Sequence, residues 1–485
     1  MGRAGFRRWP ILIGGCCLAA AVLLSACQHR TPLPTPSSPA LATHPAFLDT
    51  LEERTFRYFW DLADPRTGLI PDRAPTRSFA SISATGFGLT AYPIGIERGY
   101  ITREEGRGRV LATLRFLAGA RQDTAAVGPI GYRGLFYHFL APETGARFEQ
   151  VELSTIDTAL LLAGVLFCQS YFDRTTSEEI AIRAAAESLY ARADWQWASV
   201  RPPAISHGWS PEEGFLPYDW RGYNEAMIVY VLALGSATHP VTPEAWSAWT
   251  SAYKWGTFEG QEHLGFAPLF GHQYTHVWID FRGIRDDAMR ARGIDYFENS
   301  RRAVLAQHAY AVRNPDGWAG YGPDLWGLTA SDGPVNQEFQ IDGRARQFNT
   351  YWARGASFTH VQDDGTISPT AAGGSIVFAP ELVVPTLLAM RMQFGDNLFA
   401  KYGFVDALNP TLKLAVPVQH GHVDPAAGWF DIDYLGIDQG PIIAMVENYR
   451  TELVWRTMRK NPHVVRGLRA AGFSGGWLDS LQAVR

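Results

Sequence analysis

The residues best suited to chemistry are carboxylates set in aromatic surroundings. Glu225 follows Trp220-Arg221-Gly222-Tyr223 and precedes Ala226-Met227, in the first turn of a helix expected over 224–235. Flanking aromatic and apolar groups raise a carboxyl's pKa by desolvation, as a general acid requires. A helix N-terminus also favours an acid without any catalytic duty. Cleavage of a glycoside with inversion needs a second carboxylate ~6.5–9.5 Å away to activate water. Asp406, in the loop Gly403-Phe404-Val405-Asp406-Ala407, is the preferred base, and Asp438 and Glu447 are its rivals. Asp157 fits a capping arrangement, Ser154-x-x-Asp157, which explains it without function. Glu152, just outside that helix, has no such duty and is a candidate for holding a sugar hydroxyl. His272 and His276 stand at i, i+4, with Asp280 four further on, a spacing that a metal could use. The segment lacks the Glu of a His-Glu-x-x-His motif, and its aromatic, glycine-rich flanks argue against a helix. No metal and no cofactor is therefore expected. These histidines, with Gln273, Tyr274 and Arg282, read as hydrogen-bonding partners for sugar hydroxyls.

Helices must position these groups. N-cap signatures followed by apolar periodicity occur at Thr102-Arg103-Glu104-Glu105, Ser154-Thr155-Ile156-Asp157, Ser177-Glu178-Glu179 and Thr242-Pro243-Glu244. Further helices are expected at 46–62, 85–97, 224–235, 297–312, 380–394, 442–457 and 462–471. Strand patterns are scarce and short. Long, glycine-rich aromatic connections run over 200–223, 256–296, 314–375 and 401–440, and loops of more than ~15 residues are usually functional. An all-α toroid with a cleft at one end accounts for both features. Loop tryptophans (Trp209, Trp220, Trp278, Trp318, Trp326, Trp429) are nominated as stacking platforms or as plugs of the toroid's mouth. Trp246, Trp249 and Trp455 are assigned to the core.

Composition sets outer limits. The 485 residues are 46% hydrophobic and 19% charged, which excludes intrinsic disorder. With 43 basic and 48 acidic side chains, no basic stripe for nucleic acid is evident. Sixteen Trp, 19 Tyr and 27 Phe suit either a large core or the stacking of sugar rings. Arg3, Arg7 and Arg8 precede an apolar run, Ile11 to Leu24, of signal-peptide length. Leu24-Ser25-Ala26-Cys27 matches a bacterial lipobox, which makes 1–26 a lipoprotein signal peptide and Cys27 the lipidated N-terminus. Its removal takes away three arginines and no acid, shifting the formal charge from −5 to −8. Gln28 then directs the protein to the outer membrane, facing the periplasm. Residues 27–43 form a Pro/Ser/Thr tether, and 44–485 a single domain. Cys168 alone remains in that domain, so no internal disulfide can form there.

Several motifs carry a more specific signal. They are Gly134-Leu135-Phe136-Tyr137-His138-Phe139, Glu152 to Ala159, Gly222 to Met227, His272 to His276 running into Trp278-Ile279-Asp280-Phe281-Arg282, Trp326 to Gly333, Gly403 to Asn409, and Asp438-Gln439-Gly440-Pro441 leading to Glu447-Asn448. In this order they resemble the bacterial glucoamylase-like domain, whose best-understood branch is glycoside hydrolase family 144, the β-1,2-glucanases. The resemblance covers about residues 46–460. It implies an (α/α)6 barrel and an inverting hydrolase of β-1,2-glucan that releases sophorose or short oligosaccharides. Glu225 and Asp406 would be catalytic, with water activated directly or through a substrate hydroxyl. Glu152, Asp157, His138, Tyr223, His272, Gln273, Tyr274, His276, Trp278, Asp280, Arg282, Trp326, Asp438 and Glu447 would bind substrate. Three alternatives stay open: another glucan linkage, a non-catalytic glycan-binding lipoprotein, and a polysaccharide lyase using a Tyr/His pair.

Overall fold

A computed structural model describes residues 44–481. The expected signal peptide, the candidate lipidation site Cys27 and the expected tether lie outside the described residues. The body is helix-rich, and its helices begin where the sequence marks them. Thr102 and Glu105 form a reciprocal capping box ahead of Arg103–Gly119. Ser154 Oγ accepts from the Asp157 N–H at 3.1 Å to start Thr155–Tyr171. Asn461 caps Pro462–Ala470, with proline in its first turn, where no amide donor is missed.

Among the described residues, six helices are buried along most of their length: Ile82–Glu97, Thr155–Tyr171, Met227–Gly235, Tyr274–Trp278, Pro369–Gly373 and Gly436–Thr451. Helices apolar on all sides belong inside a protein. Ile82–Glu97 packs on Thr155–Tyr171, which packs on Met227–Gly235, then Tyr274–Trp278, then Gly436–Thr451, and the last returns to Ile82–Glu97. Pro369–Gly373 packs on Gly436–Thr451. Helices with one exposed face cover this set: His44–Leu62 lies on Gly436–Thr451, Ser177–Arg192 on Thr155–Tyr171, and Pro462–Ala470 on Met227–Gly235. Glycine allows the closest of these approaches. A Cβ at Gly164 would stand 2.1 Å from the Gly86 carbonyl oxygen, and one at Gly467 would stand 2.0 Å from that of Val231.

Some elements differ from expectation. The segment expected as one helix over 442–457 divides into Gly436–Thr451 and Leu453–Met458, because Glu452 adopts a left-handed conformation (φ 58°). The segment around His272 and His276 is helical after all, as a short 3-10 turn, Leu269–His272, followed by Tyr274–Trp278. The long connections are not strand-poor. They fold into small antiparallel sheets, the largest having five strands and joining 131–137 to 153–154 and 208–215. These sheets bring their own apolar packing, such as Trp318, Phe348 and Trp429 with Leu412. Trp318 and Trp429 are buried in that packing and Trp220, Trp278 and Trp326 in the main helical core, so these five are not platforms, and Trp209 is partly buried. Trp278 donates to Thr90 Oγ1 (2.9 Å) and Trp326 to Thr386 Oγ1 (2.7 Å), so each indole N–H is satisfied inside the protein. No helix among the described residues is long and apolar enough to cross a membrane.

Candidate active site

The first turns of the buried helices, and the loops leading into them, carry the chemistry. Asp72 and Arg73 lie before Ile82–Glu97, Glu152 and Asp157 at the start of Thr155–Tyr171, and Glu225 just ahead of Met227–Gly235. Tyr274 opens its own helix, and Asp438 sits in the first turn of Gly436–Thr451. The N-terminal end of a helix dipole stabilises negative charge, so acids collect there readily.

Glu225 is half-buried as a residue, yet its Oε2 is sealed from solvent and has no hydrogen-bond partner. Burial, with the Asp157 carboxylate adding repulsion, lifts its pKa to about 7. Asp157 is held by Ser154 Oγ at 2.5 Å and faces His138 Nε2 at 3.5 Å. The other ring nitrogen of His138 lies 2.9 Å from Glu152 Oε1. Burial disfavours charge on His138, but Asp157 and Glu152 outweigh it and raise the imidazole to about 9. Burial likewise pushes Glu152 upward, and the bond from His138 reverses that, so this carboxyl ends below its ordinary value. Near neutral pH an imidazolium thus stands between the Asp157 and Glu152 carboxyl groups, beside a Glu225 that exchanges its proton in the same range.

A second acidic group faces the first across Tyr274, whose hydroxyl is pushed well up by burial and by the charges of Asp438, Glu225 and Asp157. Here the Asp406 and Asp438 carboxyls lie within reach of each other, so a proton on one is shared with the other. Burial raises both, Asp406 strongly and Asp438 to about 7. Asp406 Oδ2 accepts the Asp332 N–H at 2.7 Å, and its Oδ1 has no donor. Asp431 is raised to about 8 by burial and by Asp406 and Asp332. The opposing charge is Arg73, which bonds Asp332 at 2.5 Å and Asp72 at 3.2 Å and stands 3.8 Å from Asp433. Among the described residues, Asp332, Asp406 and Asp431 are grouped closely enough to hold a cation, with one oxygen each within 4.8 Å of the others. Each already spends an oxygen on a protein donor, Asp332 on Arg73, Asp406 on a backbone N–H and Asp431 on the Ile432 N–H.

A cleft of about 680 Å³ borders this acidic group at Asp332 and Arg73, and Glu225, Asp406 and Asp438 lie beyond its lining. Arg73 and Asp332 line its inner end, Phe79, Phe148 and Tyr351 supply aromatic walls, and Arg77, Glu143 and His420 form the rim. Tyr351 is 63% exposed as a residue, but its hydroxyl is enclosed, and that burial first, then the charges of Asp406, Asp438, Asp332 and Asp72, push it above its ordinary range.

The expected residues therefore divide. Glu225, Asp157, Glu152, His138, Tyr274, Asp406 and Asp438 are brought together. His272 and His276 are core histidines: burial depresses both to about 3, and their Nε2 atoms meet the Phe266 carbonyl (3.1 Å) and Ser300 Oγ (3.1 Å). Neither they nor Asp280 form a metal site or a hydroxyl-binding set. Gln273 ties Ala371 O and Ser375 Oγ together, both at 2.8 Å, and Tyr223 is packed among Trp249, Tyr253, His272 and Tyr296. Asp280 is engaged by Arg282 (2.8 Å) and Arg459, and Glu447 by Arg98 (2.5 Å). Trp278 and Trp326 are sealed in the core. Reading the sequence missed Asp72, Arg73, Tyr351, Asp431 and Asp433. It quoted the motif holding Asp332 without choosing that residue. The pair Asp431-x-Asp433, five residues ahead of Asp438, was the available signal.

Buried helices that gather acidic first turns beside an aromatic-walled cleft define a helix-rich protein built around carboxyl chemistry. Residues 217–462 match the glycoamylase family model, described as "Putative glucoamylase". A solved structure from Bacteroides fragilis with the same description is 33% identical, with a TM-score of 0.76 over 91% of this chain and 100% of that one. The chain belongs to this family. An endo-β-1,2-glucanase from Chitinophaga pinensis, solved with sophorotriose and glucose, is 29% identical, with a TM-score of 0.76 over 90% of this chain and 99% of its own. An exo β-1,2-glucooligosaccharide sophorohydrolase (non-reducing end) from Parabacteroides distasonis is 30% identical over 458 residues, 88% of this chain. The chain spans 58% of that relative's length.

Proposed function

We propose that the protein hydrolyses β-1,2-linked glucan or its oligosaccharides, releasing sophorose or short products, as an inverting glycoside hydrolase with an (α/α)6 barrel. The cyclic packing of the buried helices supports the barrel. The names of the Chitinophaga and Parabacteroides relatives support the linkage. The observation that carries the chemistry is Glu225, whose sealed carboxyl is lifted to about 7 and so keeps its proton close to neutral pH. Glu225 passes that proton to the glycosidic oxygen as the C–O bond breaks, and a water attacks the opposite face of the sugar. Asp406 and Asp438 share one proton, which Asp406 holds the more tightly, so the pair keeps one basic site and takes the proton of that water there, directly or through a substrate hydroxyl. Arg73 and His138 supply the positive charge that keeps so many acids together.

Incubation with β-1,2-glucan, another β-glucan and an α-glucan in parallel tests this reading. Sophorose from the first substrate alone, released as the inverted anomer, is the expected result. Cleavage of only another glucan overturns the linkage, and binding without cleavage favours a glycan-capturing lipoprotein. We also read residues 1–26 as a signal peptide, Cys27 as a lipid anchor to the outer membrane and 27–43 as a tether, with 44–485 as one catalytic domain. Cys27→Ser then yields a soluble periplasmic enzyme with normal turnover.

A further inference from the structure

Two tight turns meet at the mouth of the cleft. The first, 72–79, is fixed at its root: the Asp72 N–H donates to Phe79 O at 2.9 Å, and Arg73–Ala74 pairs with Tyr434–Leu435. Its tip, residues 75–77, is exposed. The second, 141–146, is closed by bonds from the Ala141 and Gly145 N–H groups to Ala146 O and Ala141 O, both 2.8 Å. The tips touch through Arg77 Nη2 and Glu143 Oε1, 3.0 Å apart, with the two side chains 91% and 59% exposed. The 680 Å³ cleft lies on one side of this bridge. On the other is a second cavity of about 520 Å³, walled by 61–65, Leu69 and Pro71. Arg73, Arg77, Ser78, Pro142 and Glu143 line both.

We propose that the Arg77–Glu143 ion pair is a length selector: closed, it ends the sugar-binding cleft at the first cavity, and open, it lets a longer glucan chain continue into the second. This rests on the carbohydrate reading of the cleft. The strength of the contact suits the task. An exposed ion pair contributes little and is screened by salt, so it biases the mouth toward closure without locking it. Rigid roots, the bond from the Thr76 N–H to Asp433 (2.9 Å) and a weak tip contact confine the movement to the two side chains. Neither Arg77 nor Glu143 touches the acidic group.

The test compares β-1,2-glucan polymer with its tetrasaccharide, using kcat/KM and, separately, affinity by calorimetry on the full chain. Arg77→Ala and Glu143→Ala should each raise the polymer-to-tetrasaccharide ratio by about two- to fivefold, the factor an exposed pair can hold. The double variant should add nothing further, and the exchange R77E/E143R should restore the original ratio. High salt should move the unaltered protein toward the variants. An unchanged ratio in both single variants overturns the proposal. So does a change in one alone, which would mean that this side chain meets sugar by itself. Failure of the unaltered protein to release sugar overturns the hydrolase reading instead, and the affinity ratio then decides the selector.

Discussion

Asp438 and Glu447 stand on one buried helix, nine positions and so about 13 Å apart along its axis, in opposite chemical worlds. At the N-terminal end, Asp438 joins Asp406, Asp332, Asp431, Asp433 and Asp72 around a single guanidinium, Arg73. Toward the C-terminal end, Glu447 and Glu52 share Arg98, and Arg450 binds Glu52 and Asp49. Nearby, Asp280 and Glu452 share Arg282 and Arg459. Helix dipoles favour this sorting, with anions at the start and cations at the end. The balance of charge differs: at the C-terminal end each carboxyl touches at least one arginine, although burial and Glu447 still push Glu52 well up, whereas the N-terminal acids outnumber their cations and retain protons they can exchange.

The largest expected effect is at the acidic end. Glu225→Gln should keep the fold and sugar binding while lowering kcat by roughly 10²–10⁴-fold, the usual worth of a general acid. Equal turnover in that variant would remove Glu225 from the mechanism. Glu447→Gln should do the reverse, leaving hydrolysis intact while costing about 3 kcal/mol in denaturant unfolding, the low end for a broken buried pair because Arg98 keeps Glu52 at 3.2 Å. A loss of activity without loss of stability would erase the contrast.

Two pH measurements sharpen it. Activity should fall as pH rises through about 7, where Glu225 gives up its proton. Asp157→Asn removes a repelling charge and should shift that limb downward by less than about one unit. An upward shift would contradict the geometry. The smallest effect concerns stability. Glu225 and Asp438 near 7 and Asp431 near 8 hold protons in the folded state that an unfolded chain has already lost. Stability should therefore decline as pH climbs from the ordinary carboxylate range, near 4, toward 8. Asp431→Asn should flatten that decline by a few degrees in Tm.

Much of the frame was legible in the sequence, because caps are local. Thr102 with Glu105, Ser154 with Asp157 and the prolines at 380 and 462 announce helix starts within four residues. Glu225, Asp406 and Asp438 were recognisable from their motifs. What was hidden is non-local. Arg73 meets Asp332 across 259 positions, and the Thr76 N–H meets Asp433 across 357, so no spacing rule finds them. Burial was equally hidden. His272, His276 and the loop tryptophans have the composition of a binding surface, and helices from distant parts of the chain, or for Trp318 and Trp429 the small sheets, bury them. Glu447 shows a third limit: periodicity gives the helix but not which of its ends faces the cleft.

The short pairing of Arg73–Ala74 with Tyr434–Leu435 joins an early stretch of the polypeptide to a late one. A ribosome must therefore make nearly the whole body before Arg73 can meet Asp433 or Asp438 can take its place. Contacts of such separation form slowly, and fragments ending before residue 430 would lack half of the acidic group. Catalytic competence should thus appear abruptly and late in synthesis, with no partially active precursor along the way.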